Sequence, residues 1–145
     1  MLNAILDAIS VSLGHEFGDG YQIYMEQIEQ GWKEPCFFIS CLKSSSKHSF
    51  GERYFRGNQF CVQYFPSSNE RQQECNAVYE RMLGCLEYIT VNGDGKPIKG
   101  TRMECEMVDG SLSFLVNYDF FVYQTREESM SMSDFQTGME VKGEE

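Results

Sequence analysis

Hydrophobic residues repeat along this chain with two different periods, and each period predicts one type of secondary structure. Near the N-terminus they recur at every third or fourth position, the spacing of one face of an α-helix. These residues are Leu2, Ile5, Leu6, Ile9 and Leu13. The glycines Gly14, Gly18 and Gly20 end the pattern. We therefore predict one amphipathic helix at the start of the chain.

Three strands are predicted to follow this helix. The stretch YQIYMEQIE, residues 21–29, alternates in the manner of a half-buried strand. The stretch PCFFISCL, residues 35–42, is more densely apolar, and Pro35 suits the first position of a strand. NQFCVQYF, residues 58–65, predicts a third strand, which PSSN ends. The polar segment between the last two strands is predicted to be a loop.

A second helix is the strongest prediction from the pattern. Ser67 with Glu70, or Asn69 with Gln72, has the spacing of a capping box at a helix start. The apolar stripe that follows comprises Cys75, Val78, Tyr79, Met82, Leu83, Leu86 and Ile89. Because such a stripe must be buried against something, we expect this helix to lie across a sheet.

A β-hairpin is predicted in the last third of the chain. Met103, Cys105 and Met107 alternate with charged residues, and Asp109-Gly110 supplies the pair of positive-φ residues that a tight type I′ turn needs. The return strand, up to Tyr123, is apolar in part on both sides. Such a strand is central in its sheet or contacts another subunit.

The order of these elements is α-β-β-β-α-β-β, which predicts an α+β fold with two helices on one face of a mostly antiparallel sheet. We expect one domain over residues 1–124. Residues 125–145 lose the periodicity and are predicted to form a flexible acidic tail. With two basic and six acidic residues, the tail carries −4 of the net charge of −10.

Composition excludes several classes of protein. No apolar run approaches the roughly 18 to 20 residues that span a bilayer, so no membrane partner is expected. The N-terminus lacks a basic leader, and we expect the protein to be made and kept in the cytosol at first. No motif for phosphate binding or for a nucleophile elbow is present.

The cysteines favour a structural role over chemistry. Cys36, Cys41, Cys61, Cys75, Cys85 and Cys105 fall mostly within predicted helices or strands, and no CxxC pair occurs. The two histidines, His15 and His48, lack the spacing of a zinc site. We expect reduced thiols, no metal, no cofactor and no catalytic residue. A nucleophilic pair of Cys41 with His48 stays open only as a distant enzymatic alternative.

Positive charge is concentrated in one segment, KSSSKHSFGERYFRG, residues 43–57. A nucleic-acid contact, a solvated or enzymatic loop, and an assembly contact are the alternatives. Duplex binding generally needs a broadly basic surface, and this chain is acidic overall. Arginine and aromatic residues are enriched at interface hot spots. The assembly contact is therefore favoured, through Lys43, Lys47, Arg53, Tyr54, Phe55 and Arg56.

Five stretches together resemble a family of small phage and prophage proteins from Gram-positive hosts, the tail terminators. They are ILDAISVSLGHEFGDGYQIYMEQIEQG, EPCFFIS, RYFRGNQFCVQYFPSS, ECNAVYERMLGCLEYI and VDGSLSFLVNYDFFVY. The resemblance implies a structural protein, not an enzyme, that forms a ring on the tail tube, typically a hexamer. Such a ring ends tube polymerisation and provides the surface for head joining. Another neck or head-tail connector protein of the same particle is the close alternative.

The resemblance also implies partners and a location. The partners are further copies of the chain, the major tail tube protein and a head-completion or connector protein. The protein is expected in the host cytoplasm during assembly and then at the neck end of the virion tail. Because the genome passes through such a ring, we predict that acidic side chains, Glu104 and Glu106 among them, line the channel. Tight duplex DNA binding is not expected.

Overall fold

A computed structural model describes residues 1–25, 31–91 and 95–124. Within these ranges two helices and seven strands confirm the predicted α+β class, with two more strands after the second helix than the sequence predicted. They are α1 (Leu2–Phe17), β1 (Gln22–Tyr24), β2 (Cys36–Phe50), β3 (Arg53–Phe65), α2 (Arg71–Cys85), β4 (Tyr88–Thr90), β5 (Pro97–Val108), β6 (Ser111–Tyr118) and β7 (Phe120–Tyr123). Neither helix is long and apolar enough to cross a membrane.

The strands form one sheet in the order β1-β2-β3-β6-β5-β4. All neighbours are antiparallel except β1 and β2, which are parallel. β7 also pairs with β3 and continues the line of β6, because Gln59 lies opposite Asn117 and Arg56 lies opposite Phe120 in the same register. The long strand β3 is therefore central. Its later part pairs with β6 and its first part pairs with β7.

Both helices pack on one face of this sheet, as predicted, and the core lies between them and the sheet. The helices contribute Ile5, Ile9, Leu13, Val78 and Met82. Because side chains alternate across a strand, every second residue of the central strands faces the helices: Phe37, Ile39, Phe60, Val62, Tyr64, Leu112, Phe114, Val116 and Tyr118. The opposite side of the sheet is called here the helix-free face.

The first helix runs further than the sequence predicted. Gly14 lies inside α1, which ends at Phe17 and is followed by the C-cap residue Gly18 with a φ of 83°. Phe17 is buried, with its ring centroid 5.0 Å from that of Phe37. Burial of an aromatic ring contributes more than the roughly 1 kcal/mol that a glycine inside a helix costs. The last turn therefore forms despite Gly14.

The second helix differs from its prediction at both ends. It begins at Arg71, and no side chain caps it, so neither predicted capping box forms. It ends at Cys85, and Ile89 belongs instead to β4, where it pairs with Ile98. The helical spacing of Ile89 was misleading because a buried strand residue satisfies the same apolar pattern.

The remaining predictions are confirmed in part. At the predicted tight turn, Asp109 and Gly110 have φ values of 52° and 79°. β2 begins at Cys36, directly after Pro35, and β1 covers only Gln22–Tyr24 of its predicted range. The later part of that range, residues 26–29, and the predicted tail, residues 125–145, lie outside the described residues.

Candidate assembly surface

The basic segment is not a loop, and that prediction is wrong. β2 and β3 remain paired from Cys36 and Phe65 to Phe50 and Arg53, and the chain turns at Gly51, whose φ is 62°. Serine, lysine and glycine disfavour a strand locally, but the pairing of β3 with β7 supplies a third strand. Three strands are stable where an isolated hairpin is marginal. We call this three-stranded extension, Lys43–Phe50, Arg53–Arg56 and Phe120–Tyr123, the arm.

The arm extends beyond the cover of the helices. Every residue of β2 from Leu42 to Phe50 is exposed. Phe50 near the turn is 81% exposed, and Tyr123 on β7 is 74% exposed. Scattered apolar residues are common on protein surfaces, but several on one projecting element indicate a contact surface.

Aromatic and cationic side chains pack against one another within the arm. The guanidinium carbon of Arg53 lies 3.7 Å from the centroid of the Phe121 ring. The Phe55 and Phe121 rings are 5.2 Å apart, and His48 packs on Tyr54 at 4.9 Å. Cation–π and edge-to-face contacts of this kind hold the side chains in place, and each contributes about 0.5 to 1.5 kcal/mol of stabilisation.

A buried asparagine joins the arm to the body of the sheet. The Asn58 side-chain amide donates to the Tyr118 carbonyl, and its oxygen accepts from the Ser44 hydroxyl, both at 2.9 Å. The Asn58 backbone N–H donates to Asp119 Oδ1, also at 2.9 Å. This carboxylate occupies the point at which β6 ends and β7 begins. Sequence reasoning missed these residues, although polar residues inside two apolar strands were a usable signal.

The register divides the predicted interface residues between the two faces of the arm. Lys47 lies opposite Phe55 and Lys43 lies opposite Gln59, and side chains opposite each other share a face. Lys43, Lys47, Arg53 and Phe55 therefore lie on the helix-free face. Tyr54 and Arg56 lie on the other face, with Phe120. The six predicted residues thus belong to one element but form two surfaces.

Two arginine donors on the arm have no acceptor in the described ranges. The Nε atoms of Arg53 and Arg56 are buried, and neither has a hydrogen-bond partner among the described residues. An unsatisfied buried donor costs about 1 to 3 kcal/mol. This cost is relieved if a bound partner supplies acceptors for the two arginine side chains.

The two predicted channel acids also lie on the helix-free face. Glu104 is opposite Leu115 and Glu106 is opposite Ser113. They border a shallow groove of about 320 Å³, which we call the acidic groove. Its lining comprises Leu42, Cys61, Glu104, Cys105, Glu106, Val108, Ser113 and Leu115. Whether Glu104 and Glu106 line a channel stays a prediction.

The cysteine chemistry considered from sequence finds no geometric support. Cys41 Sγ donates to the Lys43 carbonyl, and His48 Nε2 lies 2.7 Å from the Gly51 carbonyl oxygen. Seven positions along one strand separate Cys41 from His48 by about 23 Å. Burial raises the pKa of Cys36 and of Cys85 to about 11, which keeps these thiols protonated at neutral pH. All six cysteines are free.

Comparison with known proteins identifies the family. A model of the family described as "Phage tail terminator protein" matches residues 4–130. A search of curated proteins found no match. One solved structure aligns with a TM-score of 0.36 and 10% identity, over 84% of this chain and 97% of that chain. The family match confirms the resemblance seen in the sequence: the chain belongs to the phage tail terminator protein family, a family of structural proteins of the phage tail.

Proposed function

We propose that this chain caps the tail tube as a ring of identical subunits. The ring ends tube polymerisation and provides the surface for head joining. Six subunits is the number implied by the resemblance. The protein assembles in the bacterial cytoplasm and is retained at the neck end of the tail. Its partners are other copies of itself, the major tail tube protein and a head-completion or connector protein.

The arm is the observation that carries this proposal. It is a strand extension whose exposed aromatic residues, Phe50, Phe121 and Tyr123, lie on the same face as Lys47 and Arg53, and Asn58 ties it to the body of the sheet. Interface hot spots are rich in arginine and aromatic residues because these combine a large contact area with directional hydrogen bonding. The arm therefore supplies the kind of surface through which a ring subunit binds its neighbour or the tube.

Ring assembly further requires two different surfaces on one subunit. A head-to-tail contact joins unlike patches, and it closes into a ring when the rotation between subunits allows. Lys47 and Arg53 lie at the distal end of the helix-free face, whereas Glu104 and Glu106 lie opposite Leu115 and Ser113 in the body of the sheet. These two unlike patches supply the surfaces that a head-to-tail ring needs.

The test is charge reversal on the arm in a phage or prophage that encodes the chain. We expect Arg53→Glu with Arg56→Glu to give tails of irregular length without heads, because repulsion replaces attraction at the contact. Electron microscopy of released particles measures tail length and the fraction joined to heads. Lys33→Glu with Lys99→Glu is the matched control, since it reverses two exposed cations outside the arm. Normal tails joined to heads at wild-type yield from the arm variant would show that the arm is not the interface.

Two further measurements complete the test. A thermal melt of each purified variant separates loss of assembly from loss of folding, and Lys47→Glu, at an exposed position, provides a second arm variant with little risk to the fold. Labelling of the chain in intact particles gives its position. A label at the junction of tube and head supports a terminator, whereas a label within the head vertex favours another connector protein.

A further inference from the structure

We infer that the arm of one copy binds the acidic groove of a second copy, with Lys47 and Arg53 facing Glu104 and Glu106. This inference rests on the proposed function and names the partner surface of the arm. The arm and the groove are different surfaces of the same fold, so the contact can repeat head to tail from one copy to the next, as a ring requires.

Opposite charges are separated on the helix-free face. Arg53 and Lys47 lie at the distal end of β2 and β3, whereas Glu104 is in the row that contains Leu115 and Cys61. Arg53 and Cys61 are eight positions apart along β3, which is about 26 Å at 3.3 Å per residue. The two patches therefore cannot meet within one copy, but they can meet between two.

Within the part of the chain that the structure describes, the charged groups of both patches have no ionic partner. None of the described residues forms an ion pair with Lys47, Arg53, Glu104 or Glu106, whereas Arg81 and Glu16 on the two helices pair at 2.9 Å. The Nε donor of Arg53 is buried without an acceptor among the described residues, and the guanidinium carbon lies 3.7 Å from the centroid of the Phe121 ring. A stacked guanidinium keeps its edge free for a carboxylate, the group it binds best in a bidentate manner.

The arm and the acidic groove both also carry exposed apolar residues. Leu42 and Val108 beside the groove are exposed at 56% and 42%, and the groove floor includes Leu115. The arm presents Phe50 and Tyr123 on the same face as Arg53. A volume of about 320 Å³ is at the lower limit of the roughly 300 to 1,000 Å³ typical of ligand sites. The groove therefore suits one or two side chains of a partner protein.

Binding of duplex DNA would explain fewer features of the helix-free face than binding of a second copy does. Phosphates would satisfy the arginines, but three cations on one face of an arm release few counterions. The acidic groove and its apolar border would have no role in such a complex. In the arrangement that we infer, Glu104 and Glu106 lie within the contact between copies and do not face an open channel.

A charge swap in the phage tests the inference. Three variants are compared: an arm variant, Lys47→Glu with Arg53→Glu; a groove variant, Glu104→Lys with Glu106→Lys; and a swapped variant with all four changes. We expect the arm and groove variants each to reduce the yield of terminated, head-joined tails at least about tenfold, since each places like charges in the contact. The swapped variant restores opposite charges and should recover most of that yield.

The outcomes separate this inference from the proposed function. A groove variant with normal yield, or a swapped variant no better than the arm variant, overturns the pairing while the arm keeps its role in assembly. Normal yield from both the arm and groove variants overturns the pairing and the arm assignment together. Duplex binding by the arm predicts a defect in the arm and swapped variants only. If the groove variant fails to fold in a thermal melt, Glu104→Gln with Glu106→Gln takes its place and should still lower the yield.

Discussion

Gly100 is a residue whose identity is set by a close approach between elements. Its backbone N–H donates to the Glu87 carbonyl at 2.6 Å, so β5 lies directly against the chain that leaves α2. A Cβ at this position would be 2.9 Å from the Leu86 carbonyl oxygen and 2.9 Å from Val116 Cγ2. The same carbonyl accepts from the buried Tyr118 hydroxyl at 2.6 Å and cannot move away without losing that bond.

We predict that Gly100→Ala lowers the free energy of unfolding by about 1 to 3 kcal/mol, the range for overpacking a filled core. Gly84→Ala is the control, because Gly84 lies in α2 with nothing within 4 Å of an added Cβ. That change should raise stability by up to about 1 kcal/mol, since alanine is the better helix former. Urea unfolding of both variants checks the pair, and equal effects of the two changes would contradict it.

Glu74 connects the end of β3 to the start of α2. Its carboxylate accepts from the backbone N–H groups of Ser67 and Ser68 at 3.1 and 2.9 Å, and from the Tyr64 hydroxyl. Burial alone raises the pKa of Glu74, but these hydrogen bonds outweigh it and the net shift is downward. A side chain inside the helix thus orders the preceding turn, in place of a capping box.

A lowered pKa in the folded state gives the stability a defined dependence on pH. The contribution of Glu74 is complete above its unfolded pKa, about 4.3, and is lost as the pH falls through the lower folded value. We predict that Glu74→Gln is less stable than wild type at pH 7 and that the difference shrinks toward zero at pH 3. Chemical unfolding across this range measures it, with Glu80→Gln on the exposed surface of α2 as control. A difference that stays constant with pH would exclude this role.

At the scale of elements, the arm depends on contacts distant in sequence. Asn58 and Tyr118 are 60 positions apart, and β7 reaches β3 only because β6 runs beside the central strand. The distal strands gain little from the hydrophobic core, since Phe120 is the one arm residue that packs against the core among the described residues. Its order therefore rests on the hydrogen bonds at its base and on the stacked side chains along it.

We predict that Asn58→Ala destabilises the fold by about 1 to 3 kcal/mol, because it leaves the buried Tyr118 carbonyl without its donor. Hydrogen exchange should show the largest loss of protection in residues 43–56 and 120–123. Asn117→Ala on the neighbouring strand is the control, since the Asn117 side-chain oxygen has no partner among the described residues. Uniform loss of protection over the whole sheet would contradict a local role for Asn58 at the base of the arm.

At the scale of the whole molecule, net charge bears on whether the chain binds duplex DNA. The net charge is −10 over 145 residues, and the cations that are grouped together lie on the arm. Phosphate contacts strengthen DNA binding through counterion release, and a negative surface opposes it. A terminator through which DNA slides benefits from that repulsion.

We predict that the isolated protein does not bind duplex DNA at micromolar concentration. A binding titration at low salt is the most sensitive test, since electrostatic attraction is then least screened. A basic duplex-binding protein titrated in parallel shows that the assay responds. Micromolar binding that weakens steeply with salt and disappears when Lys43, Lys47, Arg53 and Arg56 are changed would assign the arm to nucleic acid.

The sequence was informative where local chemistry decides the structure. The apolar stripes of α1 and α2 predicted helices because each must bury one face, and Asp109-Gly110 predicted its turn because few residue pairs accept positive φ twice. The sequence pattern did not predict β4 or the strands of the arm. Ile89 fits a helix by spacing and a strand by pairing, and residues 43–57 become strands only through partners far along the chain.

The sequence by itself determined the α+β class, the two-helix layer, the concentration of cations in residues 43–57 and, through the resemblance, the family. These follow from periodicity, composition and order, which are properties of the chain before it folds. Only the tertiary structure decided that the cations of Lys47 and Arg53 share a face with Glu104 and Glu106, while Arg56 faces away. The reason is that a strand alternates its side chains at every residue, so register, set by pairing across the sheet, decides which charges lie together.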